Sequence, residues 1–408
     1  MDTAMLYALR DSLGIPAHPL IFLILGVATW ALHITAVHIL LGSSALAVRG
    51  AFSADDHWRR LAAAMVNTAK VAVSVAIVVG VAPLLFVQVT YDPFWYTANV
   101  LSAWWVIGFI VFLIIGTLAL FIFYAINKKL RTEKTHCPGA LIGAIALFLL
   151  VGFIMHALSV QMLKPDQWLE WYTPNGVVDA SGRAIHAWNA WRFGFFILLS
   201  VPVIGIWLFG YRRYLQGAGE ENSEYLAFLK RLGTRLGAIG TLIVLVLLVF
   251  WMRSLPQDIA PFATGIWPIA AAAALIVTAA FPLLLGKRLD QGLWGYTPVL
   301  VGTVAMIVVA TMREMIRWVT LYGVHGYNPL DYKIAMDWYS TLLFFITLAA
   351  LFLTVMTYLV TVAWQAGQAK GIYTPSRAVN RIGTIGITAL LVWIVQWYGF
   401  GLWVAYVQ

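Results

Sequence analysis

From His18 to Val48 the chain runs thirty-one residues without a single Asp, Glu, Lys or Arg. At about 1.5 Å per residue, a helix of that length exceeds the ~30 Å hydrocarbon core of a bilayer. The same stretch carries His18, His33 and His38, three of the chain's eight histidines. An imidazole in hydrocarbon is costly unless it pairs, faces a cavity or binds something, so each is a candidate functional group. At about 100° per residue, His18 and His33 lie within roughly 60° of each other but some 22 Å apart along the axis. They cannot share one metal centre, yet they can serve separate centres on one helix face. His38 points about 140° away from His33, which predicts a different neighbour such as Ser43, Ser44 or a backbone carbonyl.

Hydropathy makes this a pattern. Of 408 residues, 62% are hydrophobic and 11% charged, against about 25% charged in soluble domains. Ten apolar stretches are expected, at 19–48, 66–90, 102–126, 139–163, 188–210, 236–252, 266–286, 296–312, 338–364 and 382–404. Nothing between them is long enough to fold alone. The expected fold is an all-α integral membrane protein, one polytopic helical bundle of about ten transmembrane helices over residues 1–408. The first apolar run lacks a preceding basic segment and is too long for a cleaved signal, so it is read as a retained helix.

The net charge of +9 does not point to nucleic acid, because the cations alternate between loops. One set of loops, from Arg49 through Lys128 and Arg212 to Arg381, holds eighteen of the 26 Lys and Arg residues; the other holds eight. The positive-inside rule then places both termini outside, in the periplasm if the membrane is a bacterial inner (cytoplasmic) membrane. Tryptophan and tyrosine crowd the outer loops, as in Trp168-Leu-Glu-Trp-Tyr172, and read first as an interfacial belt.

Cys137 is the single cysteine, so disulfides within the chain and a Cys-x-x-Cys-His haem attachment are excluded. No acid lies between Pro93 and Asn127. Phosphate loops, zinc-binding His-Glu-x-x-His and serine nucleophile elbows are missing from the sequence. By depth, His18, His186, His156 and Glu314 come from four helices on the outer side, with Arg183, Arg192, Arg313 and Arg317 nearby. A b-type haem needs one or two axial ligands and basic partners for its propionates, and this constellation suits one. His33 lies near mid-membrane. His57, His136 and His325 fall in loops, where solvation is the expectation.

The order of these features resembles subunit I of the cytochrome bd quinol oxidases. His18 resembles the family's haem ligand at the start of helix one. Gly80-Val-Ala82, Gln88, Trp95 and Tyr96 are similar to the end of its helix two. His186, in Ala184-Ile-His-Ala-Trp188, resembles its low-spin haem ligand. Glu314-Met-Ile-Arg317-Trp318 is similar to its late Glu-x-Gly-Arg-Gln-Pro-Trp motif. The resemblance implies His18, His186 and Glu314 as metal ligands, with Arg317 and Arg183 as propionate partners. His156 and His33 are further candidate ligands. It implies one or more b-type haems, with haem d the less favoured, and quinone as the membrane-side substrate. A second integral membrane subunit and a periplasmic redox partner, such as a c-type cytochrome, are the implied partners.

The chain departs from the family where helix three carries acids, reading Leu101-Ser-Ala-Trp-Trp105 instead. The family's long outer loop is reduced to residues 253–265. Poor oxygen reduction is therefore expected. Three functions stay open on these grounds. They are a haem-b electron-transfer subunit of a respiratory complex, a terminal quinol oxidase, and a non-redox anchor or transporter on the same fold.

Overall fold

The computed structural model describes residues 3–347, 349, 353–369 and 371–407. The chain order is α1 (Thr3–Ala8), α2 (Pro19–Ala51), α3 (Asp56–Thr90), α4 (Asp92–Leu101), α5 (Ala103–Ile126), α6 (Pro138–Gln161), α7 (Trp168–Tyr172), α8 (Ala190–Leu198) and α9 (Ser200–Gly217). It continues with α10 (Ser223–Arg253), α11 (Ile266–Leu285), α12 (Thr297–Trp318), α13 (Trp338–Ile346), α14 (Leu353–Gln368) and α15 (Arg377–Tyr406). The fold is all-α, and among the described residues no strand forms beyond a single bridge between Ile15 and Ile334. Nine segments among the described residues are long and apolar enough to cross a membrane. The expected stretch at 338–364 includes residues 348 and 350–352, which lie outside the described residues. Helices α13 and α14 form on either side of them.

Packing gathers the chain into two units. The first comprises Met1–Ser12, Pro19–Arg213 and Asn222–Tyr332; the second comprises Leu13–His18, Tyr214–Glu221 and Lys333–Gln408. In the second, the Ile15 bridge is held by Ile15 N–H to Lys333 O and Ala335 N–H to Ile15 O, both 2.9 Å. Tyr339 there stacks on Phe400 of α15 with ring centroids 4.0 Å apart.

In the first unit, local sequence explains where helices stop and bend. Asp55 and Asn222 cap α3 and α10 by accepting from the backbone N–H groups of Trp58 and Tyr225. Pro202 has no N–H to give the carbonyl of residue 198, and the fifth span divides there into α8 and α9. Pro83 sits inside α3 for the same reason as a bend point. Small residues set how closely helices approach. A Cβ on Gly205 of α9 would stand 2.6 Å from Gly237 N and 2.9 Å from Gly233 O of α10. Backbones this near need the glycine pair spaced by three residues, a device suited to helices in lipid.

The helix α12 outruns its expected stretch, which ends at residue 312. Hydropathy falls at Arg313, Glu314 and Arg317, but these side chains pair with each other, so helix continues through them to Trp318. A π-helical turn, Val319–Val324, follows. His57 also differs from the solvated expectation. It lies in the first turn of α3, with its ring 5.7 Å from that of Tyr225 and 5.6 Å from that of Phe228.

Candidate functional site

A cavity of about 380 Å³ runs inside the first unit, between α2, α3, α5, α6, α8 and α12. Its walls are mostly aliphatic and aromatic. Its polar lining includes His33, His38, His156, Ser159, Arg192, Arg313, Glu314 and Arg317, together with Thr90 and Tyr91. On α2 the lining extends from Phe22 to Leu41, a rise of about 28 Å.

His33 is half-buried, and its Nδ1 lies 2.9 Å from the carbonyl oxygen of Ala76 on α3. A carbonyl only accepts, so Nδ1 carries the proton and Nε2 keeps its lone pair. Gly80 permits this pose: a Cβ there would stand 2.6 Å from His33 Nδ1. His38 is 1% exposed and lines the same cavity, yet neither of its ring nitrogens has a hydrogen-bond partner among the described residues. It bonds neither Ser43, whose hydroxyl donates to Leu40 O, nor Ser44, whose hydroxyl has no partner among the described residues. The 140° separation from His33 does not send it to another neighbour, because the cavity wraps a wide face of α2. Buried polar groups are almost always satisfied, so this imidazole marks a place where a partner belongs.

The arginines gather at one end. Glu314 is buried; its Oε1 accepts from Tyr91 Oη at 2.7 Å and its Oε2 from Arg317 Nη1 at 2.9 Å. Arg313 Nη1 lies 3.9 Å from the same Oε2, and its guanidinium stands 4.3 Å over the ring of Trp30. Arg192 has no carboxylate partner among the described residues; Nη1 donates to Ser159 Oγ at 2.7 Å and stands 3.0 Å from His156 Nδ1. Three guanidiniums against one carboxylate leave two formal positive charges at this end.

Of the residues expected from sequence, the cavity therefore brings together His33, His156, Arg192, Arg313, Glu314 and Arg317. His156 is flanked at both nitrogens: the N–H of Asn189 donates to Nε2 at 3.1 Å, and Arg192 Nη1 faces Nδ1 at 3.0 Å. His186 stands outside the lining. Its ring stacks on Trp171 at 5.0 Å, its Nε2 reaches Leu101 O at 3.3 Å, and its N–H donates to Gln161 Oε1 at 2.7 Å. Gln161 also bonds Ser102, whose hydroxyl donates to Ala184 O at 2.8 Å, so this network fixes the loop before α8. Arg183 is exposed and also outside the lining, with its guanidinium 5.9 Å from the ring of Trp104. His18 is exposed and belongs to the second unit, one residue before α2.

Sequence reading alone gave no weight to Trp30 or Tyr91, and sent His38 to a neighbour other than the one His33 serves. Trp30 and His38 had a readable signal, standing three residues before and five after His33 on one helix. Tyr91 had none, since its contact with Glu314 joins positions 223 residues apart. Among the described residues no group of three or more His, Cys, Asp or Glu side chains is arranged to hold a metal ion. The chain matches no protein-family model and no curated protein.

Proposed function

We propose that this chain is a membrane electron-transfer subunit that holds a b-type haem in the cavity of its first unit. It passes electrons between the quinone pool and a redox partner such as a c-type cytochrome. One observation carries the reading: a single apolar cavity joins an imidazole with an available Nε2 to an arginine-rich end bearing two uncompensated charges.

The residues fit such a group. A haem iron takes its axial ligand from a neutral imidazole nitrogen, and ligating histidines typically donate the other N–H to a carbonyl. His33 already does so through Ala76. The two surplus positive charges match the two propionates, and guanidinium is the best partner for a carboxylate in a dry site. His38, deeper on α2, offers a second unpartnered imidazole to the same space. Bound there, haem supplies reversible one-electron chemistry. The chain's own residues orient it and balance its charge. The aliphatic and aromatic wall would keep water from the group.

This reading shifts the ligand role from His18 and His186 to His33, and keeps Arg192, Arg313 and Arg317 as propionate partners while dropping Arg183. Glu314 becomes the counter-charge that holds Arg313 and Arg317 in place. A reduced-minus-oxidised spectrum of the purified protein, with a pyridine haemochrome assay, tests it. A b-type signal is expected in the wild type and in His186→Ala, and its loss in His33→Ala. Wild-type protein without haem, or His33→Ala with a full signal, would overturn the reading.

A further inference from the structure

Two arginines at the end of α9 are taken up by the fold. Arg212 Nε donates to Leu226 O of α10 at 3.0 Å, and its Nη1 pairs with Asp290. Arg213 Nε donates to Gly292 O at 2.6 Å. These bonds fasten the two short turns after α11, Gly286–Asp290 and Gly292–Tyr296, to α9 and to the start of α10. Helix α11 packs on α10 and runs back along it, so its last residues return to the level of the first turns of α10.

Four other cations at this end have no such employment. Arg231 and Arg235 of α10, and Lys287 and Arg288 of the first turn, are exposed, and none has an ion-pair or ring partner among the described residues. At about 100° per residue, Arg231, Arg235, Ala238, Leu242 and Val246 fall within about 80° of arc, and all five are exposed. Two guanidiniums one turn apart thus head an apolar stripe. From Arg235 to Val246 the stripe rises about 16 Å, close to half of the ~30 Å hydrocarbon core and so to one leaflet. Glu224, the acid on the same face, stands about 10 Å beyond Arg231, away from the stripe.

Helix α11 repeats the arrangement. Leu283 and Leu284 are 61% and 82% exposed just before Lys287 and Arg288. The second turn adds exposed Leu293 and Trp294, and tryptophan is enriched where membrane meets water.

We propose that this end of α10 and α11 binds an anionic phospholipid. Its phosphate lies among Arg231, Arg235, Lys287 and Arg288, and its acyl chains lie along Leu242, Val246 and Leu284. Charge complementarity selects the headgroup: guanidinium grips phosphate oxygens in a fork, and lysine adds a point charge. Basic clusters at a membrane surface draw anionic lipid in this way. The stripe selects a ligand with hydrocarbon directly below its charge. An acidic soluble partner matches the cations alone and leaves the stripe bare. A second copy of the chain, paired two-fold through this face, would set the same cations against each other. A zwitterionic lipid brings its own ammonium into a cluster that already holds four positive charges. The site stands apart from the haem reading and does not depend on it.

The test uses the intact chain in detergent and a phosphatidylglycerol carrying a diazirine on one acyl chain. Adducts are expected within residues 235–246 and 283–294. Excess phosphatidylglycerol should displace the label, while an equal excess of phosphatidylethanolamine or of inorganic phosphate should not. High salt should weaken labelling of the wild type, because exposed charges are screened. Arg231→Gln with Arg235→Gln, and separately Lys287→Gln with Arg288→Gln, should each lower labelling about tenfold. Lys128→Gln with Lys134→Gln, an exposed cation pair elsewhere on the chain, should leave it unchanged. Equal displacement by phosphatidylethanolamine would reduce the site to ordinary surrounding lipid and overturn the proposal. Displacement by inorganic phosphate would make it a free-phosphate site and overturn it as well. So would adducts elsewhere, labelling indifferent to salt, or an equal loss in the Lys128 and Lys134 variant.

Discussion

Arg192 Nη1 stands 3.0 Å from His156 Nδ1, while the backbone N–H of Asn189 donates to Nε2 of the same ring at 3.1 Å. A neutral imidazole has one N–H and cannot accept at both nitrogens. Asn189 is pinned as the cap of α8, its side chain accepting from Arg192 N–H at 2.9 Å. Nε2 is therefore the acceptor, and the Nδ1 proton confronts the guanidinium. Arg192 keeps its place through Ser159 Oγ at 2.7 Å and the longer contact to His156 O at 3.4 Å. Of the three arginines it is the one most readily drawn to an anion.

Replacing Arg192 should therefore loosen an anionic cofactor without unfolding the bundle. Arg192→Gln keeps a donor for Ser159 and removes the charge. Loss of a charge-assisted bond of roughly 1.5–3 kcal/mol predicts about ten- to a hundredfold faster haem loss. Haem transfer to an excess of apomyoglobin measures it. Unchanged transfer in the variant would remove Arg192 from the propionate site.

Gly80 gives a second prediction, because its missing side chain is where the His33 ring lies. Gly80→Ala puts a Cβ 2.6 Å from Nδ1, and backbone helix on both sides leaves the ring as the part that must shift. The bond to Ala76 is then broken and the ligand tautomer is no longer fixed. A strained core substitution costs roughly 1–3 kcal/mol, and the haem band should shift or vanish with it. Gly139→Ala is the control, since nothing lies within 4 Å of a Cβ at that helical position. Equal spectra and equal unfolding midpoints for the two variants would contradict this account.

The spans were legible in the sequence because hydropathy alone places them, as the match between 102–126 and Ala103–Ile126 illustrates. The reading failed at 296–312, where charge was taken as the end of helix although Glu314 pairs with Arg317 one turn on. The site was half legible. His33, His156, Glu314 and Arg317 were on the page as polar residues in apolar spans. His38 was set aside by helical angle, an argument that holds for a narrow contact seam but not for a cavity wrapping a broad face. His186 and Arg183 drew attention by resemblance and by their place at a span's start. What their side chains touch depends on Trp171, Leu101 and Trp104, distant in sequence, and no spacing rule discloses that.

The Glu314 cluster predicts non-additive stability. Glu314→Ala leaves Arg313 and Arg317 together without their carboxylate, and breaking a buried pair in this way costs about 3–5 kcal/mol. Removing Arg317 as well, as in Glu314→Ala with Arg317→Met, takes away one of the stranded charges and should be milder than Glu314→Ala alone. Tyr91→Phe removes only the 2.7 Å bond to Oε1 and should cost about 1–3 kcal/mol. Denaturant unfolding in one detergent ranks the three. A double variant weaker than Glu314→Ala by a full further increment would mean that the residues act independently.

Asp92 sets the pH dependence of the α3–α4 corner. It is 7% exposed, and its carboxylate accepts from Asp11 N–H at 2.9 Å and from Tyr332 Oη. Burial raises its pKa above the ordinary 3.8, and this outweighs the opposing pull of the Tyr332 and Asp11 bonds and of Arg10. The folded chain thus holds this proton more tightly than the unfolded chain. Below 3.8 both forms are protonated and the group contributes nothing to the slope. As pH rises through the interval between 3.8 and the raised folded value, the unfolded form ionises first, so stability falls. Above the folded value the loss is complete and constant. Exposed Asp179 and Asp337, whose pKa values are lowered by bonds to Ser181 and Ser340, act in the opposite sense, so the wild-type profile alone mixes the signs. The difference between wild type and Asp92→Asn isolates the buried group. Unfolding midpoints measured upward from pH 3 should show wild type losing stability relative to the variant across that interval and then running parallel to it. A difference that stays flat throughout would mean that Asp92 binds its proton equally in the folded and unfolded chains, and wild type gaining stability with rising pH would mean that the Tyr332 and Asp11 bonds and Arg10 outweigh burial.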